Sequence, residues 1–135
     1  MRRISHSFVC LLFLVTLCRA ALSQEAPKDQ PRASVAGKWT LFCNDPNGTT
    51  SAKYLDLKQK GTQIKGHFRG TYQSGGVEGT ISGHHLVVRT NTRDVLVFRG
   101  RIDGPKVNGI VQGNTFVGTF HDRGGTGSFQ GQHAQ

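Results

Sequence analysis

The amino-acid sequence predicts an all-β protein, a small antiparallel up-and-down (meander) barrel of eight or nine strands. Three observations carry that expectation. From Lys38 onward apolar residues recur with period two and never with the period of a helix. The period-two segments are separated by short stretches of turn-forming residues. Glycine alternates with large side chains along one face of successive segments, as in Phe116-Gly118-Phe120.

Taken from the N-terminus, Met1-Arg2-Arg3 is a short basic region, and Phe8 to Leu17 is an apolar run broken only by Cys10 and Thr16. Small residues follow at Ala20, Ala21 and Ser23. This is the three-part layout of a secretory signal peptide over residues 1–23, too short to span a membrane. Cleavage after Ala20 and cleavage after Ser23 both satisfy the small-x-small rule, which implies a secreted or periplasmic chain. Residues 24–34 (QEAPKDQPRAS) are polar, carry proline and show no period, so they read as a disordered leader. Residues 35–135 are then one domain, enough to bury ~65% of the surface of the unfolded chain.

Candidate strands cover residues 38–43, 53–59, 63–72, 77–82, 85–90, 95–102, 106–111, 115–121 and 127–132. Their links, such as Lys60-Gly61-Thr62, Gly83-His84 and Asp103-Gly104-Pro105, are too short to join anything but antiparallel neighbours. One face reads Ile64-Gly66-Phe68-Gly70-Tyr72, then Val77-Gly79-Ile81, Phe98-Gly100-Ile102, Val107-Gly109-Val111, Phe116-Gly118-Phe120 and Gly127-Phe129-Gly131. The opposite face carries Lys65, His67 and Arg69, then Glu78 and Thr80, then Arg99 and Arg101. A flat sheet has no use for glycine beside phenylalanine at alternate inward positions. A sheet coiled into a small barrel does, because its tapering interior cannot take a bulky group everywhere and its strands must bend. The charged outward face also argues against a lipid-facing barrel, so the chain is expected not to span a membrane.

Two of the three cysteines, Cys10 and Cys18, fall in the targeting segment, which leaves Cys43 as a lone thiol on an apolar strand. A buried small hydrophobe is the expected role, with an intermolecular bridge as the alternative. With Arg2, Arg3 and Arg19 removed, 14 basic residues face 8 acidic ones, enough for attraction to polyanions or anionic lipid.

Gly37-Lys38-Trp39 at the start of the first strand resembles the glycine-x-tryptophan signature of lipocalin, avidin and other calycin barrels. Together with Leu55-Asp56-Leu57-Lys58-Gln59-Lys60-Gly61 and the glycine-flanked hairpins, it resembles a group of small exported bacterial barrel proteins. The resemblance implies that Trp39 packs across the base of the barrel. It does not extend to the tryptophan-lined site of avidins, since this chain has one tryptophan. Nor does it extend to the cysteine pair of barrel-shaped bacterial metalloprotease inhibitors.

No nucleophile elbow, zinc spacing or phosphate loop is present. The acids Asp56, Glu78, Asp94, Asp103 and Asp122 fall at outward or turn positions. The chain is therefore expected to be non-catalytic and to need no cofactor. Two binding readings remain. An inner face lined by Trp39, Phe68, Tyr72, Phe98 and Phe120 suits a small apolar ligand. Alternatively, Lys65, Arg69, Arg99 and Arg101 form a basic outer stripe for an acidic glycan, a lipid head group or a protein partner, including a protease-inhibitor-like role. Nucleic acid is not expected, because the aromatic side chains point inward rather than beside the charge.

Overall fold

The computed structural model describes residues 32–134. The expected signal peptide, and residues 24–31 of the expected leader, lie outside the described residues.

The described chain contains no helix, and eight of its strands close into one antiparallel up-and-down barrel. These strands are β1 (Gly37–Asn44), β2 (Thr50–Lys60), β3 (Gln63–Arg69), β4 (Ser74–Ser82), β5 (His85–Asn91), β6 (Val97–Asp103), β9 (Thr115–Asp122) and β10 (Gly125–His133). Between β6 and β9 the chain leaves the barrel in a two-stranded ribbon, β7 (Lys106–Val107) and β8 (Ile110–Val111). Closure is made by β1 pairing with β10, with Leu41 opposite Gly131 and Cys43 opposite Phe129.

The expected inward face is the buried face on five strands. Ile64 and Phe68, Val77 and Ile81, Phe98 and Ile102, and Phe116, Phe120 and Phe129 are all buried. Between them Gly66 is paired with Leu57 and Val77, Gly79 with Ile64 and Val88, and Gly131 with Leu41 and Phe116. Each missing side chain thus lies beside large ones on the neighbouring strands, and the interior fills without overpacking. Gly100 and Gly118 face each other across β6 and β9, where a Cβ on Gly118 would meet the backbone of Arg99 and Gly100.

Three expectations need correction. Residues 106–111 are not a barrel strand, and Gly109 has no inward position. Asn108 and Gly109 both have positive φ, 54° and 81°, which is the two-residue turn that matches the twist of a tight hairpin. Val107 and Ile110 are consequently exposed on the ribbon, and only Val111 returns to the core. Tyr72 was expected on the inner face, but β3 stops at Arg69 and Tyr72 stands 95% exposed on the β3–β4 turn. The last two residues of the expected leader, Ala33 and Ser34, also pack on the barrel. Ala33 and Val35 are buried, and Ser34 bridges to Gln112 beside β8.

That short segment closes one end of the barrel. Ala33 N donates to Gly83 O at 2.9 Å, Ser34 N to Val111 O at 2.8 Å, and Val35 N to Gln59 Oε1 at 2.7 Å. Trp39, 1% exposed, donates its indole Nε1 to Val35 O at 2.9 Å, so the ring spans the base as expected and ties it to the plug. Burying this polar backbone is tolerable because its donors and acceptors are paired.

Candidate functional site

The interior is a continuous column of rings. Trp39 meets Phe116 edge-on at 6.1 Å between centroids, Phe116 meets Phe129 at 4.7 Å, and Phe129 meets Phe98 at 5.4 Å. Phe98 then packs on Phe120 at 5.5 Å and on Phe68 at 6.2 Å. These edge and tilted contacts are the favoured aromatic geometries. Phe68, Phe98, Phe116 and Phe120 are each 0% exposed, so no space large enough for water lies against them. Of the residues expected to line a ligand cavity, Trp39, Phe68, Phe98 and Phe120 are thus brought together as packing, and Tyr72 is not among them.

At the mouth, opposite the plug, the column ends under a charge. Lys53 continues the inward parity of Leu55 and Leu57, and its Nζ lies 5.1 Å from the centre of the Phe120 ring. The ammonium donates to Asp45 Oδ1 at 3.1 Å and to Ser51 Oγ at 2.6 Å. Ser51 in turn donates to Asp45 at 3.2 Å. A charge placed over an aromatic core is stable only when paired and hydrogen-bonded in this way. The other side of the mouth is closed by Leu96 and by hydrogen bonds joining Gln73 to Asp94 and Thr90 to Thr92 and Leu96.

Cys43 is buried in β1 near this cluster. Burial pushes its thiol up to about 11 from 9.0, with the Lys53 ammonium opposing the rise. The unfolded thiol ionises first as pH rises, so the folded state retains its proton and loses relative stability between pH 9 and about 11. Below that window Cys43 is expected to resist a thiol reagent such as dithionitrobenzoate until denaturant is added. Stoichiometric reaction of the native protein at pH 8 would contradict this burial.

The outer face rearranges the expected basic stripe. Lys65 and Arg69 lie on β3 whereas Arg99 and Arg101 lie on β6, and β4 and β5 stand between them. Lys65 is directly opposite Glu78, and the Arg69 guanidinium sits over the Tyr54 ring at 4.5 Å. The β6 pair instead has β5 as its neighbour. Arg101 is opposite His85, and Arg99 is opposite Val87, diagonal to Arg89. Arg101 is tied to Asp103 at 3.3 Å, but among the described residues no carboxylate lies within 4.0 Å of Arg89 or Arg99. Sequence parity could assign these arginines to the outer surface. Their grouping requires the strand order.

Fold and surface together define a closed eight-stranded antiparallel barrel, of a shape consistent with calycin-like barrels, with a filled interior and a basic outer face. Comparison with protein-family models, curated proteins and solved structures finds no match. Among the described residues no helix is long and apolar enough to cross a membrane.

Proposed function

We propose that this chain is an exported, non-catalytic calycin-like binding protein whose outer β5–β6 face holds an acidic polysaccharide. The observation that carries this reading is the set of exposed Arg89, Arg99, Arg101 and His85 on adjacent strands; Arg89 stands opposite Glu78 on β4 without an ion pair, and Arg99 has no carboxylate within 4.0 Å among the described residues. The described residues hold 13 Lys and Arg against 6 Asp and Glu, so the surrounding potential favours the same partner. Planar guanidinium groups pair two-pronged with carboxylate or sulfate, which suits a polymer bearing such groups at intervals. The filled interior supports an outer-surface role, since an apolar ligand inside the barrel must displace packed rings.

Retention on a heparin matrix tests the reading. The double substitution Arg99→Glu with Arg101→Glu is expected to elute at markedly lower salt than the unchanged protein. Lys58→Glu with Lys65→Glu changes net charge equally on β2 and β3 and is expected to elute close to the unchanged protein. Equal loss in both variants would mean that bulk charge alone is responsible, and the proposed face would fall.

A further inference from the structure

We propose that a groove on the outer surface of β2, β1 and β10, close to the mouth, binds a neutral saccharide ring. The groove is open to solvent and holds about 450 Å³, and its walls are Phe42, Asn44, Thr50, Ala52 and Gln130, with Cys43 and Ser51 at its floor. None of the residues lining it is charged, although the described surface is strongly basic.

The sequence builds this groove through strand parity. Leu41 and Cys43 turn inward, so Phe42 between them must point out, and its side chain is left 53% exposed. Its direct partner on β2 is Ala52, too small to cover the ring, and its partner on β10 is Gln130. An aromatic face is thereby left open, with an amide at its edge. Asn44 adds a second amide, whose Nδ2 donates to Ser128 Oγ at 3.3 Å. The Gln130 amide and the Thr50 hydroxyl have no hydrogen-bond partner among the described residues.

A pyranose presents an apolar C–H face and a rim of uncharged hydroxyls. An open ring flanked by amides and a hydroxyl matches both parts, giving stacking under the sugar and donors and acceptors around it. An anion finds no cation in the walls, and the Lys53 ammonium bonded to Ser51 is already paired with Asp45. A second copy of the chain finds too little contiguous apolar area, because Gln130 separates Phe42 from Val117 and Thr40 lies opposite Tyr54. The groove is also distinct from the basic face, since β9 lies between its β10 wall and β6.

The test is a titration of the isotopically labelled protein, followed by amide chemical shifts. The methyl glycosides of glucose, galactose, mannose and N-acetylglucosamine are each added to about 10 mM, enough to detect a Kd near 1 mM. Saturable shifts confined to Phe42, Ala52, Gln130 and their neighbours are expected with at least one of the four. Phe42→Ala and Gln130→Ala are each expected to weaken that binding tenfold or more, with unchanged melting temperature. Arg99→Glu with Arg101→Glu is expected to leave it intact, which separates this site from the polyanion face. Absence of shifts with all four sugars, or shifts that persist in Phe42→Ala, would overturn the proposal.

Discussion

Gly118→Val is expected to abolish the cooperative unfolding transition, and even Gly118→Ala is expected to cost about 3 kcal/mol. A Cβ at Gly118 falls against the Arg99 carbonyl oxygen and 2.6 Å from the Gly100 Cα, and both obstacles are backbone. The two strands must separate to admit one methyl group, and the barrel loses its β6–β9 pairing in proportion. A cost of that size consumes a large part of the ~5–15 kcal/mol by which domains are stable. Gly109→Val provides the contrast. Nothing lies within 4 Å of its Cβ position, so its cost arises only from forcing a β-branched residue to φ 81°, about 1–3 kcal/mol. Thr80→Val, on the outer face of β4, is expected within ±0.5 kcal/mol of the unchanged protein. Urea unfolding followed by circular dichroism ranks the three. Equal tolerance of Gly118→Val and Thr80→Val would show that the glycine row does not face a closed interior.

Trp39→Ala is expected to destabilise the domain by about 3–5 kcal/mol. The indole is in edge contact with Phe116, stacks edge-on against His133 at 5.0 Å, and carries the hydrogen bond to the plug. Its removal leaves a cavity at the base and an unpaired Val35 carbonyl. Trp39→Phe keeps most of the ring volume and loses the indole N–H donor, so its expected cost is smaller, about 1–2 kcal/mol. Because the chain has one tryptophan, its emission reports this site alone. Emission is expected to be blue-shifted in the native protein and to move red in the same transition that circular dichroism follows. A red-shifted native spectrum would place the ring in water and contradict the plugged base.

The face assignment was legible because strand parity is rigid. Once Phe98, Ile102, Phe116 and Phe120 are placed inside, Arg99, Arg101, Val117 and Thr119 have nowhere to go but out. The same rule contained Lys53, which is in phase with Leu55 and Leu57, but a lysine beside a turn is ordinarily solvated. Ser51, two residues before it on β2, and Asp45, in the turn of the same hairpin, make its inward position tolerable, but only the folded hairpin brings both onto the ammonium. The ribbon was misread because the apolar residues Val107, Ile110 and Val111 imitate a strand, whereas Asn108-Gly109 is a strong hairpin signal. Tyr72 failed for a related reason, since parity was carried past Gly70 into a turn where it no longer applies. The plug was hidden in polar sequence. Ala33 and Val35 are small apolar residues whose burial depends on Gln59 and Gly83, contacts that no local pattern announces.

Among site features, the basic residues were identifiable as exposed but their neighbours were not. Lys65 and Arg69 share a face with Arg99 and Arg101 in the sense that all point outward, yet a closed barrel has many outward directions. Only the order β3-β4-β5-β6 reveals that Arg89 and His85, rather than the β3 residues, complete the cluster around Arg99.

Closure itself is open to direct measurement through cross-strand nuclear Overhauser contacts between the first and last strands. Backbone contacts at Leu41–Gly131 and Cys43–Phe129, with slow amide exchange along both strands, are expected. Free, rapidly exchanging edges on β1 and β10, with no contact between them, would mean an open sheet and contradict the barrel.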